Sequence, residues 1–161
     1  MVFPLTEEQQ MIRENVMRIC ADFGDDYWLA RDEDGVFPED FCLALAKAGY
    51  LGIAMPEEFG GGGLGITEAS VMVQAISESG AANGGVSSVS INVFGVHPIV
   101  RYGTDEQKAR WLPPVMTREE RACFAVTEPD AGLDTTQLST RAVLDGDRYL
   151  VHGQKIWTTT A

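Results

Sequence analysis

The sequence predicts an α+β multi-domain chain: an all-α helical bundle over residues 1–120, then the start of an antiparallel β domain over residues 121–161. Three observations carry this. Apolar residues recur at three- and four-residue steps as far as about Arg118. After Arg121 that period gives way to short β-branched and aromatic runs. Two of those runs flank Asp145-Gly146-Asp147, and Asp-Gly is a strong hairpin signal.

The elements follow in order. Thr6-Glu7-Glu8-Gln9 has capping-box spacing, with Thr6 at the N-cap. Ile12, Val16, Ile19 and Phe23 then form the apolar face of a first helix ending near Gly24. Asp25 to Gly35 is polar and acidic and is expected to be a connection, anchored on the core by Tyr27 and Trp28. Pro38 fits the first turn of a second helix, with Phe41, Leu45 and Ala48 as its stripe and Gly49 as its stop. Leu51 to Met55 is a short apolar segment. Gly60 to Gly63 lacks both the Gly-Lys-Ser/Thr ending of a phosphate loop and the setting of a dinucleotide fold, so a tight turn with positive φ is expected. Thr67 is expected to cap a third helix carrying Ala69, Met72, Val73 and Ile76. Val86, Val89, Val93, Val96 and Val100 mark a fourth, kinked or broken at Pro98. Ser87, Ser88, Ser90 and Asn92 lie between those valines, and such small polar residues favour close helix packing over a slot for a slender ligand. Thr104-Asp105-Glu106-Gln107 opens a fifth helix whose face of Trp111, Leu112 and Val115 is interrupted by Pro113-Pro114. Five helices with short connections make a bundle. Beyond it, Ala122 to Val126 reads as a strand, Thr140 to Leu144 and Tyr149 to His152 as a hairpin, and Ile156 to Thr160 as a further strand.

Composition narrows the function classes. Twelve basic against 24 acidic residues give a formal charge of −12, which argues against nucleic acid as a partner. Cys20, Cys42 and Cys123 are scattered, so a reducing compartment with three buried small hydrophobes is expected, and no metal site. Glu7 and Glu8 sit where a secretory leader would be basic, and no apolar run approaches the ~20 residues that span a bilayer. A cytoplasmic protein without a membrane is the expectation. His97, ahead of Pro98, reads as a core or kink residue, and His152 as the end of a hairpin strand. Glu128 and Asp130, flanking Pro129, read as shaping a loop, and Glu57-Glu58 as solvated surface.

Chemistry concentrates in two runs. Phe124-Ala125-Val126-Thr127-Glu128-Pro129-Asp130-Ala131-Gly132-Leu133-Asp134 is a buried run opening into a polar, glycine-containing loop. Gly153-Gln154-Lys155-Ile156-Trp157-Thr158-Thr159 ends in an indole and a row of hydroxyls. Together they supply peptide N–H groups, hydroxyl donors and one aromatic plane, which suit a flat heteroaromatic cofactor with a pyrophosphate. Each residue also has a purely structural reading: Thr127 as a turn cap, Trp157 as β-domain core, Thr158 to Thr160 as β-formers.

In this order and spacing the two runs resemble the flavin-contacting segments of the acyl-CoA dehydrogenase family. The run from Gly49 to Gly65 is similar to the linker between that family's early helices. Tyr102-Gly103-Thr104-Asp105-Glu106-Gln107-Lys108, followed by Trp111-Leu112-Pro113-Pro114, is similar to its fifth helix. The resemblance implies a middle β-barrel domain and a C-terminal helical domain, of which this chain holds the beginning of the first and none of the second. It is therefore expected to be an N-terminal portion of a longer enzyme, or the product of a truncated frame, and inactive alone.

The resemblance further implies FAD as cofactor and α,β-dehydrogenation of an acyl-CoA thioester, with an electron-transfer flavoprotein as redox partner and a homo-oligomer, dimer or tetramer. It gives Phe124, Val126 and Thr127 to the pyrimidine edge of the flavin, Gly132 and Leu133 to the cofactor phosphates, and Trp157, Thr158 and Thr159 to the isoalloxazine, the Thr159 hydroxyl near N5. The proton-abstracting carboxylate of most family members lies in the last domain, beyond residue 161, so no catalytic residue is assigned. The family usually carries Ser, which also contacts the CoA portion of the substrate, where this chain has Leu133; substrate binding there is in question. It often carries Asn at the position of Thr160. A thioester oxidase or flavin monooxygenase on the same fold, and a non-catalytic helical interaction module, are the alternatives.

Overall fold

The computed structural model describes residues 4–159; Thr160, expected in the last strand, lies outside them. The chain divides into two compact units, Met1–Ala122 and Cys123–Ala161.

Among the described residues the first unit holds seven α-helices, not five: α1 (Glu7–Cys20), α2 (Asp25–Asp34), α3 (Glu39–Lys47), α4 (Ile66–Ile76), α5 (Ala82–Ser90), α6 (His97–Tyr102) and α7 (Asp105–Thr117). The capping box of α1 is present: the Gln9 N–H donates to Thr6 Oγ1 at 3.2 Å and the Thr6 N–H to Gln9 Oε1 at 3.1 Å. Ile12 and Val16 are buried, and Cys20 closes the stripe. The expected connection from Asp25 to Gly35 is α2. No residue of it is fully buried, so it has no apolar period to read. Two acids in its first turn, and Gly35 at φ 65° after its last, bound it instead. Tyr27 and Trp28 do anchor it, in edge-to-face contacts with Phe23 at a centroid distance of 4.9 Å and with Phe41 at 5.0 Å respectively. Aromatic pairs of this kind contribute about 0.5–1.5 kcal/mol beyond area burial.

In α3, Phe41, Cys42 and Leu45 are fully buried, whereas Ala48 is the exposed C-cap and not part of the stripe. Gly49 stops the helix at φ 81°. The four-glycine run is a turn, with Gly60 at φ 89° and Gly63 at φ 66°. Gly61 is required for another reason: a Cβ there would collide with the Met55 backbone. The α4 helix is capped two residues earlier than expected. The Gly65 N–H donates to Glu68 Oε2 at 3.1 Å, and Glu68 Oε1 accepts from Gln9 Nε2 of α1 at 2.9 Å, so one carboxylate caps α4 and ties it to α1.

Between α4 and α5 the chain kinks through Gly80 at φ 101° and Ala82 at φ 45°. A π-turn over Ile91–Gly95 precedes α6, where Pro98 occupies the first turn and its missing N–H costs nothing. Two of the four small polar residues serve packing: Ser88 Oγ donates to the Gly85 carbonyl at 2.7 Å and Asn92 Nδ2 to the Val115 carbonyl at 3.2 Å, both buried, whereas Ser90 lines a groove. His97 is exposed at the start of α6, so it marks the break and is not core. The α7 helix runs straight through Pro113-Pro114 instead of being interrupted. Burial of Leu112, Val115 and Met116 against Met55 and Val96 outweighs the two backbone bonds lost. Trp111 faces out, 45% exposed, under the Arg110 guanidinium. At the end of α7, Arg118 adopts φ 67° and is almost fully buried, giving Glu39 two hydrogen bonds at 3.2 and 2.6 Å. Those bonds hold the Glu39 carboxyl below its ordinary range.

The second unit holds a hairpin of β1 (Arg141–Asp145) and β2 (Arg148–His152), paired from Arg141↔His152 to Asp145↔Arg148. Its turn is Gly146-Asp147, with Gly146 at φ 65° in the first central position, so Asp145 belongs to the strand. Both strands are exposed along their whole length. The expected strands over Ala122 to Val126 and Ile156 to Thr160 reduce, among the described residues, to a single bridge, Phe124↔Thr159. Trp157 at φ 55° bends the second segment out of extension. Cys123 is exposed, whereas Cys20 and Cys42 are buried as expected.

Thr104→Ala, which removes the N-cap of α7, is expected to cost about 1 kcal/mol. Gly61→Ala, which forces backbone apart, is expected to cost about 1–3 kcal/mol. Urea unfolding followed by circular dichroism measures both; a Gly61→Ala loss well below about 1 kcal/mol would contradict the close approach at Gly61.

Candidate cofactor site

The two chemistry-bearing runs lie side by side and antiparallel. Phe124 and Thr159 exchange both backbone bonds at 3.2 Å, and the Ile156 N–H donates to the Thr127 carbonyl at 2.9 Å. In that register Val126 falls opposite Trp157, and Glu128 opposite Lys155. Because Trp157 is left-handed, the ladder opens at this point. The Val126 carbonyl accepts from Lys155 Nζ at 2.8 Å instead of from a backbone N–H.

Glu128 holds the unit together. Its side chain is only 3% exposed. Oε2 accepts from the Ser139 N–H at 2.7 Å and the Ser139 hydroxyl at 2.8 Å. Oε1 accepts from the Thr140 N–H at 2.9 Å and from Lys155 Nζ at 2.9 Å. Hydrogen bonding from Thr140, then Lys155 and Ser139, holds this carboxyl well below the usual carboxylate range. Gly153, at φ 156°, lets the second run cross against Thr140, whose Cα a Cβ would meet at 2.8 Å. Glu128 thus shapes the loop as the sequence suggests, but through a buried network and not as a surface turn. Asp130 is exposed.

Phe124, Val126, Thr127 and Thr158 are half-buried, whereas Gly132, Leu133, Trp157 and Thr159 are exposed. Trp157 is 85% exposed, so it packs into no core among the described residues. The pairing brings Phe124, Val126 and Thr127 against Trp157, Thr158 and Thr159. Gly132 and Leu133 follow the Glu128–Ala131 turn and make no hydrogen bond to that set among the described residues, and a Cβ on Gly132 would meet nothing within 4 Å. The N–H groups of Val126, Thr127, Gly132 and Leu133 have no partner among the described residues. Peptide donors left open beside an exposed indole fit a flat ring system that has hydrogen-bond acceptors along its edge and carries phosphates. Sequence reasoning passed over Lys155, and took Glu128 only for a loop former. Their opposite charges at matching places in two runs already read as neighbours were the available signal.

In the first unit, α4 and α5 border a groove of about 620 Å³ lined by Ile66, Val73, Asn83, Val86, Val93 and Phe94 among others. Among the described residues no His/Cys/Asp/Glu group of metal-binding size is present, and no helix is long and apolar enough to cross a membrane.

A model of the acyl-CoA dehydrogenase N-terminal domain matches residues 6–119, and one of the acyl-CoA dehydrogenase middle domain matches residues 123–161. The chain belongs to the acyl-CoA dehydrogenase family. It is 35% identical to acyl-CoA dehydrogenase FadE12 of Mycobacterium tuberculosis, over 94% of this chain and 39% of that protein. Among solved structures it is similar to an acyl-CoA dehydrogenase from Geobacillus kaustophilus (TM-score 0.82, 30% identity, 98% of this chain and 41% of that one). It is also similar to a glutaryl-CoA dehydrogenase from Mycobacterium smegmatis in complex with FADH2 (TM-score 0.85, 25% identity, 96% and 39%). The chain thus spans about 39% of the length of its first curated relatives.

Glu128→Gln is expected to speed amide exchange at Ser139 and Thr140 at least tenfold, because both donate to the lost charge. In the native chain the depressed pKa means this protection is present above the ordinary carboxylate range and is lost only as strongly acidic pH protonates Glu128. Exchange measured by NMR from pH 7 downward checks both; loss of protection near the ordinary glutamate pKa would contradict the network.

Proposed function

We propose that the protein to which these residues belong is an FAD-dependent acyl-CoA dehydrogenase, with residues 1–120 as its helical domain and 121–161 as the beginning of its middle barrel. The observation that carries this reading is the open edge formed by the Val126 and Thr127 N–H groups beside the exposed Trp157 indole.

When bound, FAD supplies the hydride acceptor for oxidation of an acyl thioester. This chain's own contribution is to bind and orient. The peptide groups of Phe124, Val126 and Thr127, with the Thr127 hydroxyl, address the pyrimidine edge. Gly132 and Leu133 leave backbone accessible to the phosphates. Trp157 packs on the ring system, and Thr158 and Thr159 add hydroxyl donors at the end of the same segment. Donors fixed before the charge develops need no reorganisation when it does. The catalytic base is assigned to no residue of this chain. The groove between α4 and α5 has apolar walls suited to an acyl chain. Acyl-CoA as substrate, an electron-transfer flavoprotein as electron acceptor, a homo-oligomer and a cytoplasmic location complete the proposal.

A second reading, a thioester oxidase, draws on Leu133. This side chain is fully exposed and offers no hydroxyl where the family's serine reaches the CoA portion. A structure of a prolyl acyl carrier protein oxidase is 26% identical with a TM-score of 0.83.

The complete protein is expected to purify with, or take up, FAD and to bleach anaerobically with an acyl-CoA. Trp157→Ala is expected to weaken FAD binding at least tenfold. Absorption spectroscopy and FAD titration decide: a colourless protein that cannot be reconstituted would overturn the flavin reading, and rapid reoxidation by oxygen would favour the oxidase.

A further inference from the structure

Lys155 occupies an unusual place. Its ammonium bridges two acceptors, the Val126 carbonyl at 2.8 Å and Glu128 Oε1 at 2.9 Å, and its side chain is 25% exposed. The Val126 carbonyl and the Thr127 N–H belong to one peptide unit. A cation on the oxygen of an amide draws electron density through the C–N bond and makes its N–H a stronger donor, as in any polarised hydrogen-bond chain. That N–H has no partner among the described residues, so it is left to an acceptor that the chain does not itself supply. Ser139 and Thr140 hold Glu128 with three hydrogen bonds, and its remaining bond to the ammonium fixes Lys155 against the carbonyl.

The structure assigns Lys155 as a positioning residue that acts through the Val126–Thr127 peptide, strengthening the Thr127 N–H toward an acceptor that gains negative charge. The assignment rests on the FAD reading for the identity of that acceptor, the pyrimidine edge of the flavin, but not for the polarised peptide itself. A donor of this kind favours the reduced, more negative cofactor over the oxidised one. Its effect is therefore on the ratio of the two affinities. A lysine that merely braced the loop would alter both alike.

The test uses the complete protein and the variants Lys155→Met and Lys155→Arg. FAD dissociation constants for oxidised and reduced cofactor are measured together with the reduction potential. Lys155→Met is expected to lose about tenfold in preference for reduced over oxidised FAD, a fall of ~30 mV for a two-electron couple. Lys155→Arg, which keeps a cation on the carbonyl, is expected to stay within about threefold of the native preference. A separate readout needs no flavin. In the apoprotein, base-catalysed exchange of the Thr127 amide is expected to slow at least threefold in Lys155→Met, because a less polarised N–H is less acidic. Mere loosening would speed exchange there and at Ser139 and Thr140. Equal loss of affinity for both redox forms, or faster Thr127 exchange, overturns the assignment. A native protein that takes up no FAD overturns the flavin reading alone, and the Thr127 exchange then still decides whether Lys155 polarises this peptide.

Discussion

A single buried carboxylate organises the second unit. Glu128 gathers two peptide N–H groups and a hydroxyl from Ser139-Thr140 and an ammonium from Lys155, two segments that flank the hairpin. An ionised group in so enclosed a place is tolerable only when its lone pairs are filled, and here they are. The consequence is geometric. With Ser139-Thr140 and Lys155 fixed on one side chain, the runs before and after the hairpin cannot slide past each other. The opening of the ladder at Trp157 therefore falls in one place. Without that anchor, an exposed hairpin and the two isolated bridges among the described residues would leave little to define the unit.

The first unit rests on different physics. Its core is apolar and continuous across α1, α3, α4 and α5, and its polar groups serve as fasteners between elements. Glu68 joins a helix start to α1, Glu39 holds Arg118, and Asn92 reaches the Val115 carbonyl. These ties explain how irregular backbone survives inside a helical body: the kink at Gly80 and Ala82, the π-turn before α6 and the left-handed Arg118 each sit beside one of them or beside buried side chains. The two units thus show the two ways a small region becomes well defined, by area removed from water and by a filled polar network.

Sequence legibility followed the same division. The capping boxes at Thr6 and Thr104, the stripe of Ile12 and Val16, the break at Pro98 and the hairpin at Gly146 were all readable because each depends on neighbours within a few positions. The helix over Asp25–Asp34 was not, since its support comes from Phe23 and Phe41 and not from its own period. Pro113-Pro114 misled for a similar reason: local rules forbid what burial of Leu112 and Val115 sustains. In the candidate site, the two runs were legible as segments and as neighbours. The left-handed Trp157 and the Glu128–Lys155 pair were not, because a β-branched and aromatic run reads as extended until a tertiary contact bends it.

The three tryptophans end up in three unlike settings. Trp28 is wedged among aromatic rings with its indole nitrogen enclosed, Trp111 lies under a guanidinium, and Trp157 stands out into solvent. The molecule therefore carries its own set of optical reporters. Emission from Trp28 follows the integrity of the helical unit, while the red-shifted emission of Trp157 reports on whatever comes to rest against the open edge of the other. Light from a single cuvette can tell loss of the fold apart from occupation of the site.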